Sequence, residues 1–245
     1  MTTLLYALLF AAAAAAANIL GSVIVTSQKW AQQSLRYFMA VGSGFMMGTI
    51  FLEMIPEIMK LQAPSPTTLS WPALLLIGYL IVHFFEHTFT PHMHFGEETH
   101  HEAMSPSVGF SALIGMLVHT FFDGVTIGAG FMIGTRAGIL LFLAVFLHKI
   151  VDGFTIASIV VSSGYSATRA MGASVLLAIA TLIGVIAVHT AGSANYALPI
   201  TAGCTLYVAA TDLMPEVNHE MGVKMAFLVF AGVGLFLLVS KIAPG

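Results

Sequence analysis

Long apolar runs, separated by short polar breaks, fill almost the whole of this chain. About eight of these runs approach the roughly 20 residues that an α-helix needs to cross a bilayer. Only 8% of the residues are charged and 58% are hydrophobic, whereas a soluble domain carries about 25% charged residues. A transmembrane β-barrel would show short alternating strands instead. The sequence therefore predicts an all-α integral membrane protein, an eight-helix transmembrane bundle.

The polar breaks set the bounds of the predicted helices within one transmembrane domain, 1–245. The main breaks are a polar stretch at 26–33, a proline-containing segment at 62–70 and a His-rich loop at 90–106. The predicted spans are 4–25, 35–59, 71–89, 108–133, 137–161, 168–189, 196–213 and 223–242.

Two copies of one polar pattern lie within consecutive apolar runs. The first copy begins at His119 and the second at His148, and both read His-x-x-x-Asp-Gly-x-Thr-Ile. Ionisable side chains at membrane depth are costly and mark ion or substrate paths. Positions i and i+4 share one face of an α-helix, so His119 and Asp123 are expected to point the same way, as are His148 and Asp152.

Two imidazoles and two carboxylates form a ligand set for a divalent transition metal. This set suits zinc, iron, manganese or cobalt without choosing among them. The single Cys204 excludes an intrachain disulfide and a thiolate-rich site. One such His/Asp pair inside a membrane is more often an interhelical hydrogen-bonded pair than a ligand set. The repetition with the same Gly-x-Thr-Ile tail favours a metal site.

A second internal repeat occurs at the ends of two predicted spans. The segment from Glu53 to Glu57 ends span 2, and the segment from Asp212 to Glu216 ends span 7. Both segments read acid-x-x-Pro-Glu. These spans cross the membrane in opposite directions, as inverted repeats do, and such folds place the substrate site near the midplane. The four acids are predicted to line the two ends of a metal path. The alternative is that they are helix-capping or interfacial acids.

The distribution of basic residues gives a weak orientation signal. With both termini outside, four basic residues face the cytoplasm and three face outward, which agrees with the positive-inside rule. The inward set is Lys29, Arg36, Arg169 and Lys224, and the outward set is Lys60, Arg136 and Lys241. We therefore expect both termini outside, in the plasma membrane. The expected partners are divalent metal ions, the lipid bilayer and a second copy in a homodimer; nucleic acid is not expected.

Imidazoles are dense around the third polar break. Either this segment is a solvated connection, or it captures metal weakly. The residues concerned are His83, Glu86, His87, His92, His94, Glu97, Glu98, His100 and His101.

These motifs together resemble those of the ZIP (ZRT/IRT-like) family of divalent metal transporters. The resemblance covers essentially the whole chain, and it is carried by the doubled motif, the span-2 ending at Phe51–Glu57 and the His-rich segment. It implies eight spans and transport of zinc, or of iron, manganese, cobalt or cadmium, towards the cytosol, by a sliding of one helix group against the other. It also implies a binuclear site in many members.

Two residues depart from the family pattern. Thr120 replaces a usual Asn, and Lys149 lies where an acidic ligand of a second metal is often found. A buried ammonium repels a second dication, so we predict one primary metal, with Met46 as an extra contact. The alternatives are that Lys149 snorkels or pairs elsewhere, and that Met46 is core packing.

A function of another class stays open at this point. An intramembrane zinc-dependent hydrolase, such as a lipid amidase, would use His and Asp to hold zinc and activate water. It would also need an open coordination position and a positioned base or oxyanion donor. The acids at the ends of spans 2 and 7 favour transport over hydrolysis. No residue is expected to have a catalytic role.

Overall fold

The fold is all-α over every residue that the structure, a computed structural model, describes: 2–27, 32–61, 70–89, 106–219 and 223–243. No strand occurs in these ranges, so the prediction of an all-α chain is confirmed. The helices are α1 (Thr2–Ser27), α2 (Gln32–Thr49), α3 (Ile55–Lys60), α4 (Trp71–Phe89), α5 (Pro106–Ile133), α6 (Thr135–Ser162), α7 (Ala167–Ala191), α8 (Ala194–Tyr207), α9 (Met214–His219) and α10 (Val223–Ile242).

Six helical stretches of the described chain are long and apolar enough to cross a membrane, which makes this a membrane protein. They are Thr2–Val25, Arg36–Lys60, Gly109–Ile133, Thr135–Ser162, Ala167–Ala191 and Val223–Ile242. The other two predicted spans coincide with α4 and with α8 and its continuation. Helix α4 carries Glu86 and two histidines near its C-terminal end, and these polar side chains lower its hydropathy.

Two of the predicted spans contain a π-helical segment and are not α-helical throughout. Ile50–Met54 and Val208–Leu213 are π-helical and lead into α3 and α9. Pro56 and Pro215 follow closely. A proline lacks the N–H group that an α-helix needs, and its ring clashes with the carbonyl four residues earlier. Leu52 and Thr211, four residues before the prolines, both lie in the π-helical segments, so the wider turn there has a local cause.

The helices that carry the doubled motif have close neighbours. Helix α5 packs on α6 and α7, and α6 packs on α1. A Cβ atom added at Gly124 would meet the Thr181 carbonyl oxygen of α7, and one at Gly153 would meet the Asn18 carbonyl oxygen of α1. The glycine in each motif copy therefore allows backbone contact on one helix face while the preceding acid occupies another.

The boundaries of the predicted polar breaks need correction. Helix α1 extends to Ser27 and α2 begins at Gln32, so both ends of the 26–33 break are helical. Helix α5 begins at Pro106, which was assigned to the His-rich loop. The rest of that loop, 90–105, and residues 62–69 lie outside the described residues. His83, Glu86 and His87, which the sequence predicts as part of the imidazole-dense segment around this loop, lie on α4.

Candidate metal centre

The four side chains of the doubled motif lie together between α5 and α6. His119 and Asp123 come from α5, and His148 and Asp152 come from α6. One ligand atom from each residue lies within 4.8 Å of the others, and all four residues are buried. The i,i+4 spacing thus places each pair on one face, and the crossing of the two helices brings the pairs together.

The shortest contacts join the imidazoles to one oxygen of each carboxylate. Asp123 Oδ2 is 3.2 Å from His119 Nε2 and 3.3 Å from His148 Nε2. Asp152 Oδ2 is 3.4 Å from His119 Nε2 and 3.8 Å from His148 Nε2. Each carboxylate therefore lies between both imidazoles, which is the mixed nitrogen and oxygen environment that divalent transition metals prefer.

The orientation of His148 favours cation binding. Its Nδ1 donates a hydrogen bond of 3.0 Å to the Ala144 carbonyl oxygen. A metal-binding imidazole commonly has its second nitrogen held in this way. In the neutral ring, Nε2 then presents a lone pair towards Asp123. His119 Nε2 is buried, and its contacts with Asp123 and Asp152 lack hydrogen-bond geometry, so both Nε2 atoms suit the donor set of a dication.

Lys149 lies inside this cluster and is fully buried. Its ammonium is 2.5 Å from Asp123 Oδ2 and 2.8 Å from Asp152 Oδ2, and it donates a 3.2 Å hydrogen bond to Thr120 Oγ1. The alternative that Lys149 snorkels or pairs elsewhere is therefore wrong. Its positive charge contacts the same two carboxylates that the sequence assigns to the metal.

The acids predicted at the end of span 2 lie at a separate cavity. Glu53 is buried on the first π-helical segment, and its Oε2 is 3.8 Å from Arg136 Nη2. Glu57 pairs with Lys60 at 2.5 Å on the exposed face of α3. A cavity of about 320 Å³ is lined by these four charged residues together with Leu52, Pro56, Ile133, Gly134 and Ala137. Both acids thus face basic groups at this cavity.

Asp212 belongs to a second group of potential ligands. One ligand atom from each of Glu86, His119 and Asp212 lies within 4.8 Å of the others. His119 Nδ1 is 3.8 Å from Glu86 Oε1, so the two nitrogens of this imidazole face different acid groups. The sequence predicts Glu86 only as part of the imidazole-dense segment around the His-rich loop, and not as a neighbour of His119 and Asp212. It belongs to neither repeated motif, so no pattern linked it to the centre.

The predicted metal contacts of two further residues, Met46 and Glu216, stay predictions. Met46 is fully buried in a core cluster that also contains Phe45 and Ala144, so its contact with a metal stays a prediction. Glu216 lies on α9, but its side chain lies outside the described residues. The path roles of Glu53, Glu57, Asp212 and Glu216 likewise stay predictions.

Comparisons with known proteins agree with these motifs. The model of a family described as ZIP Zinc transporter matches residues 97–240, which is more than half of the chain. The chain is 30% identical to Zinc transporter zipt-7.2 of Caenorhabditis elegans over 135 residues, covering 50% of this chain and 29% of that protein. It is 33% identical to Zinc transporter SLC39A7 of Homo sapiens over 145 residues, covering 54% and 31%.

A third relative extends the same comparison. Zinc transporter ZIP10 of Danio rerio is 29% identical over 150 residues, which covers 55% of this chain and 18% of that protein. The chain thus spans about a third or less of the length of these curated relatives.

Proposed function

Because the chain belongs to the ZIP zinc transporter family, we propose that it carries zinc, or another divalent transition metal, across the membrane towards the cytosol. The observation that carries this proposal is the buried cluster of His119, Asp123, His148 and Asp152, whose ligand atoms all lie within 4.8 Å of one another. The metal is the substrate, and these four residues are its proposed intermediate binding site. The hydrolase alternative loses its support, since the family is one of transporters.

The donor set suits a site that releases its metal. Imidazole and carboxylate bind borderline dications, while the soft thiolates that select zinc and copper most strongly are missing from the cluster. Cys204, the only cysteine of the chain, is a separate buried residue on α8. Binding through four buried groups desolvates the ion, and the buried carboxylates offset its charge.

Lys149 limits the site to one metal in this proposal. With neutral imidazoles, two carboxylates and one ammonium give the centre one net negative charge. A single dication then leaves one net positive charge, and a second would leave three in a buried site. The contacts of the Lys149 ammonium with Asp123 and Asp152 support this role.

The rest of the path follows from the two acid groups. Glu53 and Glu57 would lie at one mouth of the path, and Asp212, with Glu86 and the predicted Glu216, at the other. The π-helical segments at both acid-x-x-Pro-Glu motifs support the proposed inverted repeat. With six helical stretches of the described chain suited to spanning, α4 and α8 would complete an eight-helix bundle. Both termini outside, a plasma-membrane location and a homodimer belong to the same proposal.

Metal uptake into sealed vesicles tests the assignment of the site. His119→Ala or Asp152→Ala should abolish zinc uptake while the purified protein stays folded in detergent. His189→Ala is the matched control, because His189 lies on α7 outside the cluster, and it should keep most of the uptake. Normal uptake by either cluster variant would sink the assignment of the four residues, and hydrolysis of a lipid amide without uptake would favour the enzyme class.

A further inference from the structure

The cavity at Glu53 contains an arginine whose role the proposed transport path leaves open. Arg136 lies in the first turn of α6, two residues after Gly134, which joins α5 to α6. Its side chain is 48% exposed, whereas the Glu53 side chain is 9% exposed. The guanidinium is therefore much more exposed than the carboxylate that it faces, and both side chains line the same cavity.

The contact between these two residues is an ion pair and not a close hydrogen bond. The separation of 3.8 Å between Arg136 Nη2 and Glu53 Oε2 is too long for a hydrogen bond. A pair of this kind at a partly exposed position contributes little stability. An arriving cation can therefore displace the guanidinium from Glu53 at a small cost in free energy.

The group of acids at Asp212 differs from the Glu53 cavity in its charge partners. Asp212 shares its surroundings with Glu86 and His119, and among the described residues it forms no ion pair with a lysine or arginine. The two acids on π-helical segments therefore have different charged neighbours. Glu53 forms an ion pair with Arg136, while Asp212 lies beside the carboxylate of Glu86.

We propose that Arg136 is a selectivity residue of the path, and this proposal rests on the transport function proposed above. A cation enters at Glu53 only by displacing the guanidinium. Coulomb attraction scales with charge, so a dication gains about twice as much as a monovalent ion from the same carboxylate. Cations that bind carboxylate weakly compete poorly with the guanidinium for Glu53. A metal that binds carboxylate strongly displaces Arg136 from Glu53 and moves inward.

The kinetics of zinc uptake by Arg136→Gln test this proposal. Zinc is supplied on the side where the cavity opens, which is established by labelling Lys60→Cys with a membrane-impermeant maleimide; Cys204 is buried. The KM for zinc should fall about two- to fivefold, as expected if a partly exposed ion pair opposes entry. Calcium and sodium should inhibit Arg136→Gln at lower concentrations than they inhibit the parent.

Lys60→Gln is the matched control, because it removes the same charge from the same cavity but its partner is Glu57. Its effect measures the general change of surface potential. In a Glu53→Gln background, Arg136→Gln should produce no further change in KM. Arg136→Lys keeps the charge and should lie between the parent and Arg136→Gln.

An effect of Arg136→Gln no larger than that of Lys60→Gln would overturn the proposal, as would a raised KM in folded protein. If Arg136→Gln fails to fold, Arg136→Lys with a KM and an inhibition profile identical to those of the parent overturns it. A parent protein that takes up no zinc would instead refute the transport function itself.

Discussion

Replacement of Lys149 by methionine tests how far its ammonium stabilises the two carboxylates of the metal centre. Lys149→Met keeps much of the side-chain volume and removes the charge. The ammonium lies 2.5 and 2.8 Å from Asp123 and Asp152, which corresponds to an attraction of about 6 kcal/mol for each pair at an effective dielectric constant of about 20. Desolvation offsets most of that attraction, and removing one partner from a buried pair typically costs about 3–5 kcal/mol.

The expected result is a metal-dependent loss of stability. In chelator, the Tm of Lys149→Met in detergent should fall by about 10 °C, using about 2–4 °C per kcal/mol for a chain of this length. Added zinc should restore most of the loss, since a dication replaces the missing positive charge. The zinc-induced rise in Tm should therefore be larger in the variant than in the parent.

Thermal unfolding followed by fluorescence, with and without zinc, provides the measurement. Lys224→Met is a control of equal charge change, because Lys224 contacts Tyr37 at an exposed position. A Tm in chelator equal to that of the parent would show that the ammonium does not stabilise the two carboxylates. An equal zinc-induced rise in both proteins would show that metal and ammonium do not share them.

Three further predictions follow from the same geometry. Lys149→Glu should bind one more zinc per chain than the parent by elemental analysis, and an unchanged ratio would contradict the one-metal role of Lys149. Uptake should fall as the pH decreases from about 8 to about 5, because protons compete with the metal for the two imidazoles; a flat profile of initial rates would contradict this competition. Gly124→Val should lower the yield of folded protein, because its Cβ would meet the Thr181 carbonyl oxygen, whereas Gly172→Val, with open space at its Cβ, should not; equal yields would refute the close-packing argument.

The repeated motifs were enough to identify the central cluster. Helical periodicity fixes the relation of His119 to Asp123 and of His148 to Asp152. The repetition of the pattern on consecutive spans indicated that the two pairs meet. The contacts of Lys149 could not be predicted from the sequence. A long side chain can reach in several directions, and its contacts depend on how α5 and α6 cross.

Other parts of the site needed tertiary structure. Glu86 joins His119 and Asp212 only because α4 packs on α5 and α8, and that packing leaves no motif in the sequence. The π-helical segments were missed as well, although Pro56 and Pro215 were visible. Hydrophobic periodicity over a whole span does not distinguish a local π-helical turn from a continuous α-helix.

The central claim is that one metal binds between α5 and α6 on its way across the membrane. The most direct measurement is a crystal structure of zinc-soaked protein with anomalous data collected at the zinc absorption edge. One anomalous peak per chain is expected at the centre, within bonding distance of His119, Asp123, His148 and Asp152. No peak at the centre in fully zinc-loaded crystals would contradict the account, and two peaks there would contradict the role assigned to Lys149.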